Sequence, residues 1–150
     1  MRIYQYPADF APAADGGFVV TFPDIPEAIT QGETIHECVE EAKDALDEAI
    51  TGRINTGLKI PVASKPQSGQ YLIPVPTQTA FKAALYEEIS SKSMSKVELA
   101  HRLGIDEKEV RRLLNPHHPS KLPRIAEILE RVGKSVVVQV EDEKEIAAHV

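Results

Sequence analysis

Tryptophan is absent from this chain, aromatic residues fill only 5% of its 150 positions, and there is a single cysteine. One thiol, Cys38, cannot close an internal disulfide, which excludes the small secreted domains that depend on such staples. No run approaches the roughly 20 apolar residues needed to span a bilayer. The opening MRIYQYPADF lacks the apolar core of a secretory signal. These absences predict a cytoplasmic protein with no membrane segment. Catalytic signatures are missing too: there is no Ser-His-Asp order, no phosphate-binding glycine loop and no HExxH. The expectation is a protein that binds rather than catalyses, with no cofactor and no resident metal.

A hydrophobic content of 42% is ordinary for a globular chain. The length suits one medium domain or two small ones. The net charge of −6 is unevenly spread. Residues 1–75 hold 5 Lys and Arg against 11 Asp and Glu, a net of −6. Residues 76–150 hold 12 of each, and inside them residues 92–134 hold 10 basic against 6 acidic, a net of +4. An acidic total alone would argue against nucleic acid. Its distribution argues instead for two domains, 1–75 and 76–150, with different partners.

Residues 2–10 read as a first strand, because Ile3, Tyr4 and Tyr6 favour extended backbone. Asp15-Gly16-Gly17 is a turn signal, and residues 18–22 form a second strand with Phe18, Val20 and Phe22 on one face. Pro23 and Pro26 break it, and residues 28–31 make a short third strand. Thr34 then opens a helix with Glu37 as its capping-box partner. Ile35, Cys38, Val39, Ala42, Leu46, Ala49 and Ile50 form one apolar stripe at helical spacing. Cys38 on that stripe reads as a small buried residue rather than a nucleophile. Gly52, Asn55 and Gly57 end the helix, residues 61–69 are a loop, and residues 71–75 are a last strand that Pro74 places at a sheet edge.

In the second half, Phe81, Ala84, Leu85 and Ile89 share a helix face. Two short helices follow, at 96–103 and 107–114. A further helix at 122–132 has Pro123 in its first turn and Gly133 as its stop. Residues 136–140 read as a strand. The predicted fold class is α+β: a β-β-β-α-β domain, then an all-α helix-turn-helix domain with a C-terminal strand.

The segment KVELAHRLGIDEKEVRRLL carries the helix-turn-helix. Ala100 is small where two helices cross, and Gly104, four residues on, tolerates the positive φ of a tight turn. Leu99, Leu103, Ile105, Val110 and Leu113 lock the second helix onto the first, and Asp106 is placed to cap it. With Val110 and Leu113 inward, Glu107, Lys108, Arg111 and Arg112 face out. The register of Ala100, Gly104, Ile105, Val110 and Leu113 is that of the Cro/repressor-like helix-turn-helix, whose second helix enters the major groove. By that resemblance Glu107, Lys108 and Arg112 face base edges. Arg and Lys read guanine, and Glu accepts from cytosine. Arg111 serves a base or a phosphate. Ser95 and Lys96 at the start of the first helix sit near phosphate, and Lys121 and Arg124 are further phosphate candidates.

Two other groupings could carry chemistry. His117-His118 lies in a loop shaped by Pro116 and Pro119, with no ligand-spaced Cys or carboxylate nearby, so loop structure or phosphate contact is the reading rather than metal. Asp9, Asp15, Asp24 and Glu33 are the carboxylates that could gather a divalent ion. Asp15 lies in a turn, Asp24 and Glu33 border one, and no spacing brings the four together.

The order strand, strand, strand, helix, strand, with the phrase GGFVVTFPDIPEAITQGETIHECVEEAKDAL, resembles the HicB antitoxin family. The matching positions are Gly17, Phe18, Val20, Phe22, Asp24, Pro26, Thr30, Gly32, Glu33, Thr34, Glu37, Ala42 and Ala45, while Glu27 stands where many members have Gly. The resemblance runs through the C-terminal motif and points to the helix-turn-helix branch. It implies a partial RNase H-like fold in the N-terminal domain. It also implies binding of a small basic RNA-cleaving HicA-type toxin, whose catalytic histidine is blocked, and repression of a shared operon by the C-terminal domain. An acid-rich first half suits a basic partner, and Asp24, Glu27 and Glu33 are its toxin-binding candidates.

One helix-turn-helix touches few base pairs, so operator DNA calls for a homodimer or a higher even-numbered assembly. The strand expected at 136–140 has no partner in its own domain and is the candidate for pairing across a two-fold axis, with pairing back onto the N-terminal sheet as the competitor. Two other functions remain open at this point: a stand-alone ligand-sensing repressor, and a nuclease governed by its own DNA-binding domain.

Overall fold

A hairpin turn at residues 13–17 folds the N-terminus back on itself. The computed structural model, which describes residues 1–143, builds an antiparallel sheet on that hairpin. β1 (Gln5–Pro12) pairs with β2 (Phe18–Thr21), and β2 pairs with β3 (Ile29–Gly32). β4 (Tyr71–Pro74) adds to the other side of β1, so the order is β3-β2-β1-β4 and β4 lies at an edge, as Pro74 requires. β1 is shared by halves. Gln5 to Ala8 pair with β4, and Asp9 to Pro12 pair with β2. Pro7, which has no N–H, thus lies where only one ladder runs. The first strand starts three residues later than its composition suggests, at Gln5, because β4, its partner there, ends at Pro74.

α1 (Ile35–Thr56) begins at Thr34, whose Oγ1 accepts from the Glu37 amide at 3.1 Å. Glu37 Oε2 reaches back to the Glu33 amide, at 3.2 Å, rather than to Thr34. The apolar stripe from Cys38 to Ile50 is buried, whereas Ile35 stays exposed. Gly32 lets the start of α1 come close to the sheet, and Gly17 lets the hairpin turn come close to the end of β3. A Cβ on Gly32 would lie 2.9 Å from Cys38 Sγ and 3.0 Å from its amide nitrogen, and one on Gly17 would lie 2.6 Å from the Gly32 oxygen. The helix runs through Gly52 to Thr56.

The chain divides into two compact units. One comprises Met1–Ile50, Pro61–Pro76 and residues 139–143. Its core is the buried stripe of α1 with Tyr6, Ala8, Val20, Phe22, Ile25, Ile73 and Val75. The other comprises Thr51–Ile60 and Thr77–Val138. It holds α2 (Thr77–Ser91), α3 (Lys96–Leu103), α4 (Glu107–Leu114) and α5 (Leu122–Arg131). Leu85, Leu99, Val110, Leu113, Ile125 and Ile128 centre its core, with Phe81, Ala84 and Ile105 packed at the margin. The described chain is α+β, with β-β-β-α-β preceding four helices.

The strand expected at 136–140 is not formed: residues 134–142 carry neither helix nor strand. Val136 packs on the helical core, but Val137, Val138 and Val140 are exposed. An apolar β-branched run marks where a strand can form, and a ladder also needs a neighbour, which this segment does not find among the described residues.

Candidate nucleic-acid interface

The geometry of this region starts at one turn. α3 ends at Gly104, which adopts φ +63° in open space, and the Ile105 amide returns to the Ala100 oxygen at 3.1 Å. Ser95 caps α3 by accepting from the Glu98 amide at 3.1 Å, and Asp106 caps α4 by accepting from the Lys108 amide at 2.8 Å. Ala100 is buried, as a close helix crossing requires, and Val110, Leu113 and Leu114 are buried on α4. The opposite side of α4 is cationic and open: Lys108, Arg111 and Arg112 are all exposed, as are Ser95, Lys96 and Lys121. Lys108 and Arg112 make no ion pair among the described residues.

Two hollows flank α4. An open groove of about 640 Å³ is lined by Ser95, Lys96, Arg111 and Asn115 together with Asn55 and Tyr86. A smaller hollow of about 220 Å³, on the other flank, is lined by Arg112, His118, Ser120 and Lys121. The sequence-predicted positive residues are thus brought to one helix and its two margins. Three of the expected residues are committed to partners. Glu107 is half-buried and pairs with Arg111 one turn away. Arg124 binds Glu109 at 2.6 Å and Glu127 at 3.0 Å, so it ties α5 to α4. That pairing holds the Glu109 carboxyl below the usual carboxylate range. His117 follows an Asx turn, its amide donating to Asn115 Oδ1 at 3.0 Å, and its ring lies 3.0 Å from Asn55 Nδ2.

Lys82 was not foreseen. It lies on α2 and is fully buried, with Nζ donating to the backbone oxygens of Arg112 (2.9 Å), Asn115 (2.7 Å) and His118 (2.5 Å) and to Ser120 Oγ (3.0 Å). Burial pushes its ammonium down to about 8. A signal was available: Lys82 sits at the i, i+3, i+7 positions of Leu85 and Ile89, on the stripe that packs inward.

In the other unit, Asp24 is half-buried, and its Oδ2 accepts from the Ser64 amide at 2.9 Å and from Ser64 Oγ at 3.0 Å. Asp24 therefore joins two loops. Glu27 and Glu33 are exposed. Beyond those three residues, α1 presents a row of exposed acids, Glu37, Glu40, Glu41, Asp44 and Glu48, opposite its buried stripe. Among the described residues no group of three His, Cys, Asp or Glu could hold a metal ion. No described helix is long and apolar enough to cross a membrane.

Comparison with known proteins adds a second line. A family model described as the HicB-like antitoxin of bacterial toxin–antitoxin systems matches residues 5–84. The chain is 38% identical to Antitoxin HicB of Escherichia coli (strain K12) over 132 residues, 88% of this chain and 96% of that one. It is 33% identical to Antitoxin HicB 1 of Photorhabdus laumondii over 137 residues, covering 91% of this chain and 87% of that one. Antitoxin HicB of Pseudomonas fluorescens (strain Pf0-1) is 29% identical over 127 residues, 84% and 87% of the two chains.

Proposed function

Because the chain belongs to the HicB-like antitoxin family of bacterial toxin–antitoxin systems, we propose that it neutralises a small basic RNA-cleaving toxin of HicA type and, as a dimer, represses its own operon at operator DNA. Residues 1–75 hold the toxin and residues 76–150 hold the DNA. The observation that carries the DNA half is the open cationic face of α4, set over a buried apolar face and after a left-handed turn at Gly104. In this reading Lys108 and Arg112 meet base edges, while Ser95, Lys96 and Lys121 meet phosphates on either side. The exposed acids of α1, with Glu27 and Glu33, supply a negative surface for a basic partner.

Purification of the chain together with the product of the neighbouring gene, followed by footprinting of the DNA upstream, tests both halves. A stable complex with a small basic protein that loses its RNA cleavage, and a footprint with two half-sites about one helical turn apart, is the expected result. The absence of both the complex and the footprint would refute the reading.

A further inference from the structure

Ser120 is a loop residue whose amide, carbonyl and hydroxyl oxygen are all bound by one helix. It lies just before Lys121 and α5. Gln78, in the first turn of α2, takes both of its backbone groups: Gln78 Nε2 donates to the Ser120 oxygen at 2.8 Å, and the Ser120 amide donates to Gln78 Oε1 at 3.1 Å. Lys82, one turn further along α2, donates to Ser120 Oγ at 3.0 Å. The Gln78 bonds are partly buried and join residues 42 apart in sequence.

This double bond to one backbone bears on Lys121. A glutamine amide carries a donor and an acceptor side by side, so it pairs with backbone as a neighbouring strand would. Each peptide unit is a rigid plane. Holding the Ser120 N–H and C=O together therefore fixes two successive planes. The second plane contains the Lys121 nitrogen and Cα, so it sets where the Lys121 side chain leaves the backbone. Lys121 is exposed, caps no helix with its side chain and makes no ion pair among the described residues. It lines the smaller hollow together with Arg112. One residue of that hollow is a candidate for a phosphate and the other for a base. Phosphate contacts fix the register in which base contacts are made, so the placing of Lys121 matters to Arg112.

We propose that Gln78 is a positioning residue of the DNA-binding face: its two bonds to Ser120 hold Lys121 where a backbone phosphate meets it. Gln78 acts through Lys121. This rests on the DNA-binding reading above.

The test is the affinity of the full chain for a duplex covering the DNA upstream of its own gene, measured between about 50 and 200 mM salt. Lys121→Ala should lower the salt slope by about 1, so that its deficit in affinity shrinks about fourfold across that range. Gln78→Glu keeps an acceptor for the Ser120 amide but sets a carboxylate oxygen against the Ser120 carbonyl. Gln78→Met has similar length and forms neither bond. Both should reproduce the lowered slope, and adding Lys121→Ala to either should lower it no further. A residue that only braces the fold would lower the melting temperature and leave the slope alone. A folded Gln78→Met chain with the wild-type slope, or slope changes that add in the double variant, overturns the proposal. So does a Lys121 amide resonance that stays put when the duplex is added to the wild type, a measurement that needs no variant. If the wild type binds no duplex, the DNA reading falls and this proposal with it. If it binds and the Gln78 variants keep its slope, this proposal falls alone.

Discussion

At Arg112 the side chain and the backbone have separate duties: the guanidinium is exposed without an ion-pair partner among the described residues, and the carbonyl is bound by Lys82. Arg112→Ala should cost about 1–3 kcal/mol at a specific site and much less on random DNA. Filter binding with both duplexes checks this, and equal losses would assign Arg112 to phosphate. Lys96→Ala should weaken both DNAs alike and reduce the salt slope by about 1. Lys82 also enters stability. Its folded-state value of about 8 lies below the ordinary 10.5, so between those pH values the unfolded chain holds the extra proton and the Lys82 contribution to stability rises with pH. Lys82→Met should flatten that rise in chemical denaturation curves measured at pH 8 and 10. The cationic residues of α4 were legible because their neighbours are one turn away. Lys82 was not, because its acceptors come 30 to 38 residues later in the chain.

At the scale of elements, two glycines make contrasting demands. Gly104 needs only its left-handed φ, since a Cβ there meets nothing within 4 Å. Gly104→Ala should therefore cost about 1–2 kcal/mol and leave the helix-turn-helix intact. Gly32 needs space, because the first turn of α1 lies against it. Gly32→Ala should cost about 1–3 kcal/mol from overpacking. Adding Cys38→Ala should restore only part of it, because the Cys38 amide nitrogen stays 3.0 Å from the new methyl. Thermal denaturation of the three variants and the wild type checks this. The bounds of α3 and α4 could be read directly from Ser95, Gly104, Asp106 and Val110, since caps and turns are local chemistry. The start of β1 and the end of α1 could not, because a strand ends where its neighbour ends and a helix can run through a lone Gly52 when later turns are packed.

For the whole molecule the open question is how many copies act together. The segment read as a strand at 136–140 remains without a ladder, and Val137, Val138 and Val140 are 82%, 75% and 90% exposed. Three valines in the open are the reason for proposing that a second copy covers them. Removing residues 135–150 should yield a monomer by sedimentation velocity and lower operator affinity. A truncated chain that remains dimeric would place the contact elsewhere. The apolar pattern marked this segment as a strand, which is not formed, because β-branched residues set a preference for extended backbone and the ladder depends on a neighbour that the pattern does not encode.

The divided pairing of β1 bears on how the chain is made. Its second half can zip to β2 as soon as residue 21 has left the ribosome, whereas its first half must wait for β4, which ends at Pro74. For all of that interval of synthesis, Gln5 to Ala8 offer a bare edge to any passing strand. Pro7 falls inside that stretch, but the Val75 amide donates to the Tyr4 oxygen, so the backbone groups aimed at β4 are those of Tyr4, Tyr6 and Ala8, and the ring of Pro7 faces the other side, where no ladder forms among the described residues. The proline thus guards the flank that no described strand covers, while the rightful edge stays open until β4 is translated.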